Sequence, residues 1–490
     1  MNWFNKTIAV ISPRLAAERA MNEVRLQNLE YLKTRAYDGA NKSARTAGWS
    51  SSGTSARTET QSAIVTLRNR SREMVRNNAN AKKAIRVIAN NTIGTGIRPS
   101  PIGTALQVRK IKAMWREWAE STACDFDGLN TFYGLQKLIM TSVAESGECI
   151  VIKKIKKDGV IPFQLQVLEA DYIDSNKTIL KSGGGSIVNG VDYDASGRRI
   201  GFWLFDQHPG DFLQKNIISK FYSVDDVLHI FYCERPSQHR GVPWGHSVML
   251  KLQDFGEYED AELLKQKVSA CFAAFYTDGS EMSQATDKTP MSERIQPGII
   301  EHMPTGSSVT FANPPSKEGY RDYTATTLQQ VAAGFGITYE AISGNFKEVN
   351  FSSGRMGWLE MARQILDWQE NMMIPLFCNP VWKWFTEGAS IMGAKVGTVN
   401  WSLPRREMID PVKEMEGLKT AIRLGLLSWP EAIRQQGYEP DEVLEEITEY
   451  TDKFAERGLQ LDADPRYDKG KVLPLRNDAP NANNEEKISG

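Results

Sequence analysis

The sequence predicts an α+β fold that is mainly helical. Three observations carry this. Apolar residues recur at helical spacing, as at 252, 255, 258, 264, 268, 271, 272 and 275. A central stretch, 148–233, is instead rich in β-branched and aromatic residues broken by turn signals. Helix punctuation is dense near the end: Asp410-Pro411 reads as N-cap and first turn, Ser428 with Glu431 as a capping box, and Gly425, Gly437 and Gly458 as stops.

In chain order, residues 13–35 are rich in helix formers, and 37–61 are Gly/Ser/Thr/Ala-rich and expected to be a flexible arm. Two basic helices follow, Ile64–Arg76 and Ala81–Asn91, with Asn80 as N-cap and Gly94 as stop. Their cations (Arg68, Arg70, Arg72, Arg76, Lys82, Lys83, Arg86) spread around most of the helix. They fit a solvated face, or contact with DNA or an acidic neighbour. Strands are expected at Glu148–Ile155, Phe163–Leu168, Ile200–Phe205 and Val227–Cys233. Leu250–Tyr276 then reads as a helix about 40 Å long, with Gly256 as its weak point. Residues 277–318 break helicity with short strands at Gly298–His302 and Ser308–Phe311, and helix resumes at Tyr323–Phe335. This long helix out, small β insertion and helix back is the main organisational clue. Residues 336–357 are irregular; a further helix runs to about Ile374, where Pro375 opposes continuation. Asp441–Arg457 is an acidic amphipathic helix, and 462–490 are polar and expected to be disordered.

The 490 residues hold 59 Lys/Arg and 60 Asp/Glu, a net charge of -1. That balance hides a split, since residues 1–120 carry 21 cations against 8 acids and the remainder 38 against 52. Such asymmetry points to nucleic acid or a charged partner surface. No apolar run approaches the roughly 20 residues of a membrane helix, and no signal peptide is read at the start. Five scattered cysteines, none in a CxxC, fit reduced thiols.

Catalytic signatures fail. Gly388–Lys395 (GASIMGAK) lacks the phosphate-loop spacing and its Ser/Thr, and Gly94-Thr-Gly96 lacks the third glycine of a dinucleotide turn. His208, His229, His239 and His246 lie within 39 residues, but no pair has a structural-zinc spacing. Asp125 and Asp127 (CDFDG) read as a turn more readily than as an acid–base pair. Trp382, Trp384, Trp401 and Trp429 read as core or interface anchors.

Seven segments, in order, resemble the lambda-family phage portal proteins. They are SREMVRNNANAKKAIRVIANNTIGTGI (71–97), WREWAESTACDFDGLNTFYGLQKLI (115–139), SGE (146–148), LQVLEADYID (165–174), LHIFYCERPSQHRGVPW (228–244), ITYEAISGNFKEVNFSSGRMGWLE (337–360) and DPVKEMEGLKTAIRLGLLSWPEAIRQQGYEPDEVLEE (410–446). The resemblance implies a ring, usually of twelve subunits, at one capsid vertex of the virion, assembled in the host cytoplasm. Double-stranded DNA is packaged and ejected through its channel.

The resemblance also divides the chain. A basic arm (1–62) is followed by a wing (63–248), a stem helix (249–276), a clip (277–318) and a return stem helix (319–342). A tunnel loop (343–357), a long helix with the wing–crown connection (358–409), crown helices (410–460) and a tail (461–490) complete it. Lys347, Glu348, Asn350 and Arg355 are expected in the loop facing DNA. Glu281, Lys288, Glu293 and Arg294 are expected in the clip, docking the terminase large subunit and then head–tail connector proteins. Capsid or scaffold proteins are further implied partners. No catalysis, cofactor, metal or membrane is implied. Two other readings stay open: a sequence-independent DNA-binding protein acting through residues 57–116, and a metallohydrolase using the histidines.

Overall fold

The computed structural model describes residues 51–212, 218–270, 274–277, 308–311, 319–347, 349–394, 397–405 and 407–459, with 14, 18, 21–26 and 48. The chain divides into Met1–Ser55 and Ala56–Gly490. In the first unit, residues 21–26 are helical and exposed. All elements named below belong to the second.

Helix α1 (Ala56–Asn77) meets α2 (Ala79–Ile93) at Asn78, whose side chain accepts from the Asn80 and Ala81 amides. The cap thus lies two residues before the expected Asn80, and α1 starts within the expected linker. Burial explains the early start: Ala56, Ile64 and Arg68 are all enclosed, and tertiary contact overrides weak local propensity. Gly94 ends α2 as expected. Strand β1 (Arg98–Pro101) and α3 (Ala105–Ala119) follow. Helix α4 (Phe132–Ser146) is capped by Thr131 and closed by Gly147 in the left-handed region.

Strand β2 (Glu148–Ile155) lies between β3 (Phe163–Glu169) and β9 (Val227–Phe231) in an antiparallel sheet. A second sheet runs β4 (Ile179–Leu180), β5 (Ser186–Val188), β6 (Val191–Tyr193), β7 (Arg199–Phe205) and β8 (Ser219–Ser223). Ile150 and Ile152 of β2 pack with Val191, Phe202 and Leu204 of this second sheet, while Cys149 and Val151 join the helical core. Burial on both faces is why β2 reads as a continuous apolar run. The short strands β4 to β6 were not foreseen, because two or three residues show no period.

Helix α5 (Met249–Ala270) is 22 residues, about 33 Å. The expected helix to Tyr276 stops sooner: β10 (Ala274–Thr277) pairs antiparallel with β11 (Ser308–Phe311). An aromatic, β-forming run supplies that strand. The expected strand at 298–302 lies outside the described residues. Helix α6 (Tyr320–Phe335) returns beside α5, with Tyr258 4.4 Å from Tyr323 and 5.9 Å from Tyr320 between ring centres.

Two helices follow, α7 (Tyr339–Ser343) and α8 (Phe351–Trp368). Pro375 does not stop the chain's helical course. Gln369–Cys378 forms a π-helix containing it, and α9 (Asn379–Ile391) continues without a break. The wider turn accommodates a residue without an N–H; Asn379 N bonds Ile374 O, five residues back. Met372, Met373, Phe377 and Cys378 are buried in the main core, which offsets the roughly 3 kcal/mol cost of an interior proline. Trp118 anchors the same core, with its indole N–H donating to Phe163 O at 3.0 Å. Of the four tryptophans read as core or interface anchors, Trp382 and Trp384 are buried there too and Trp401 packs half-buried against them, whereas Trp429 is 42% exposed and outside this core.

Strand β12 (Val399–Ser402) pairs with β1. Helices α10 (Pro411–Arg423), α11 (Trp429–Gln435) and α12 (Pro440–Glu456) end the described chain. Asp410 and Ser428 cap α10 and α11 as expected. Glu439 and Glu442 tie α12 to α3 through Lys112 (3.4 Å) and Arg116 (3.6 Å).

Candidate functional site

Residues 344–350 connect α7 to α8, and Gly344, Phe346, Lys347 and Asn350 among them are exposed. Gly344 ends α7 with φ +69°, and its N–H donates to Glu340 O at 2.8 Å. Asn345 Oδ1 accepts from the Lys347 amide at 3.2 Å, an Asx-type turn. Asn350 caps α8: its Oδ1 accepts from Ser353 N at 2.9 Å, and Ser353 Oγ accepts from Asn350 N at 3.1 Å. The irregular stretch expected over 336–357 is therefore shorter at both ends, since Tyr339–Ser343 is helical, and the expected tunnel loop 343–357 is shortened with it. Residues 351–357 are helical because this reciprocal cap turns an apparent Ser/Gly loop into a helix start. Lys347 and Asn350 stand in the loop and Arg355 on the first turns of α8, all exposed. Phe346 and Phe351 are exposed beside them. A cleft of about 600 Å³ separates α6 from the loop, lined by Tyr320, Asp322, Thr324, Tyr339, Asn345 and Val349. Glu348 lies outside the described residues, as do Glu281, Lys288, Glu293 and Arg294.

Behind the exposed surface, two quoted segments, Ser146–Glu148 and His239–Trp244, meet in a buried clasp. The Glu148 carboxylate is fully enclosed. It accepts from Arg68 Nη2 (2.7 Å), Arg240 Nη2 (2.5 Å) and Nε (2.9 Å), the Gly241 amide (3.0 Å) and His229 Nε2 (2.8 Å). The carboxylate partner requires the His229 proton on Nε2. Burial pushes Glu148 up, but Arg240, His229 and Arg68 together hold it well below the usual carboxylate range. Burial lowers His229 to about 4, against the pull of Glu148. Arg240 also donates to Asn189 O at 2.9 Å. The clasp ties α1, β2, β9 and the 239–244 segment into one body. Sequence reading missed it; the local signal was a carboxylate, Glu148, heading the apolar run Cys149–Ile152.

Arg68 is therefore not on a solvated face but 1% exposed. Arg72 bonds Asp171 (2.6 Å) and Glu169 (3.1 Å). The histidines do not converge: His229 sits in the clasp, His239 is buried, and His246 faces Pro243 O at 3.0 Å. Among the described residues, Glu169, Asp171 and His208 bring three metal-type donors together, but the Arg72 guanidinium already holds both acids. Asp125 is a turn acceptor, taking the Asp127, Leu129 and Asn130 amides at 2.8–3.2 Å, as its reading as a turn requires. No described helix is long and apolar enough to cross a membrane.

Comparison with known proteins bears on these features. A probable portal protein of Halomonas phage phiHAP-1 is 26% identical over 431 residues, covering 80% of this chain and 81% of that protein. Portal protein B of Escherichia phage lambda is 22% identical over 455 residues, 80% of this chain and 84% of that one. Among solved structures, the neck of the native gene transfer agent (GTA) particle computed with C12 symmetry aligns with TM-score 0.48 at 14% identity, over 77% of this chain and 94% of that chain. Residues 42–369, more than half of the sequence, match the family described as phage portal protein, lambda family. This chain therefore belongs to the lambda family of phage portal proteins.

Proposed function

We propose that the chain is one subunit of a ring whose channel passes double-stranded DNA during packaging and ejection. Family membership carries the portal role. The out-and-back pair α5 and α6, with β10 and β11 between them and the loop 344–350 beyond, supports the division into stem, clip and tunnel loop. Residues 277–318 dock the terminase motor and later the connector proteins, and the basic first 120 residues face acidic protein surface. Twelve copies of 55.0 kDa make a particle of about 660 kDa. Light scattering and negative-stain images of the purified protein are expected to show that ring with a central hole. A monomer or dimer would sink the reading, and would favour a DNA-binding protein acting through residues 57–116.

A duplex must slide through such a channel in both directions. Each cation that neutralises a phosphate releases counterions and strengthens the grip. Helix α5 carries five acids against three lysines, a balance that resists gripping. Exposed Asp254 and Glu257 are placed to test this. Substituting both by lysine is expected to steepen the slope of log affinity against log salt by roughly 0.9 for each phosphate newly met. An unchanged slope in DNA binding by the assembled ring would place this face of α5 away from the bore.

A further inference from the structure

Helices α10, α11 and α12 enclose a groove of about 510 Å³, lined by Met415, Leu418, Ile422, Trp429, Ile433 and Val443. Its size falls within the roughly 300–1,000 Å³ range of pockets that hold small ligands. Met415 is 48% and Trp429 42% exposed, so apolar surface is left facing water. All its walls come from one subunit, and α10 buries no residue fully.

We propose that this groove holds a segment of the same chain, Lys471–Arg476. The sequence runs on for 31 residues past Leu459, and Val472, Leu473 and Leu475 are its densest aliphatic cluster. The segment reaches. From Val443 to Glu456 α12 spans about 20 Å, whereas the thirteen residues from Leu459 to Val472 cover roughly 43 Å when extended. Charge fits as well. Lys471 and Arg476 flank the cluster, and Glu446, three residues on from Val443, is exposed beside it on α12. Asp468 and Asp478 lie further out, suited to Lys419 and Arg423 on the opposite wall. Tethering makes the contact intramolecular, with an effective concentration near the millimolar range, so a few aliphatic side chains suffice to hold it. The groove is thereby covered within each subunit, whether or not subunits form a ring.

Paired cysteines in the full chain test this, with Cys233 and Cys271 replaced by serine. Under mild oxidation Ile433→Cys with Leu473→Cys is expected to cross-link within one chain, at least roughly tenfold more than Ile433→Cys with Ala482→Cys. Equal cross-linking of the two pairs, or a cross-link between subunits alone, overturns the proposal; the latter would assign the groove to a second copy. A second variant leaves the groove intact. Leu473→Asp with Leu475→Asp is expected to speed hydrogen exchange of amides 429–438 roughly tenfold through local opening. Unchanged exchange there also overturns the proposal.

Discussion

Replacing Glu148 by glutamine is expected to lower unfolding stability by about 3–5 kcal/mol, the usual cost of breaking a buried ion pair from one side. Two guanidinium groups, 0–1% exposed, would lose the charge that justifies their burial. The measurement is the urea midpoint of the purified subunit at pH 7. A loss under about 1 kcal/mol would mean that Arg68 and Arg240 find water, and that the clasp is loose. Acid should act on the same cluster. His229 titrates near 4 in the folded chain, below its ordinary 6.5. Between those values the unfolded chain binds a proton that the folded one refuses. Stability therefore falls as pH falls through this window, by about 1.4 kcal/mol per unit. His239, lowered by burial to about 3, adds to the fall in the same direction. Glu148, held low, keeps its contribution down to its ordinary value of 4.5 and loses it progressively as the pH falls from there toward its folded value. A stability profile flat from pH 6.5 to 4.5 would contradict this account.

Gly147→Ala should cost about 2–5 kcal/mol, and the reason is geometric. Gly147 has φ +92°, and an added Cβ would lie 2.4 Å from the Val242 carbonyl carbon and 2.7 Å from Pro243 N. Left-handed strain contributes about 1–2 kcal/mol and overpacking against backbone about 1–3. Gly128 is the control, with φ +71° and nothing within 4 Å of its Cβ position. Gly128→Ala should show the strain alone, about 1–2 kcal/mol. Equal losses in thermal unfolding of the two variants would show that the 242–243 segment moves aside. The close approach explains why Ser146–Glu148 and His239–Trp244 act as one structural unit although about 90 residues apart.

Much of the fold was legible. Strand β2 was bounded correctly because apolar residues on both faces leave an unbroken run. Helices α10 and α11 were bounded by their caps, Asp410 and Ser428, whose chemistry is local. Where local chemistry conflicted with burial, the reading failed. Pro375 argued for a helix end, but the packing of Met373 and Phe377 kept the helix going in a wider turn. Asn350-Phe-Ser-Ser looked like loop, and its cap used a serine where a glutamate or glutamine is usual.

The residues alone were enough for the fold class, the out-and-back helices, and a family resemblance that comparison then bore out. All of these rest on spacing along the chain, where each residue's burial leaves a periodic trace. Arg68, Glu148 and Arg240 are separated by 80 and 92 residues, and each reads in isolation as an ordinary surface charge. Their meeting emerged in three dimensions, because desolvated charges are tolerated where partners converge, and convergence across such distances has no period. The same reasoning moved Arg68 from a solvated basic face into the core. It left Lys347, Asn350 and Arg355 as the exposed polar groups at the start of α8.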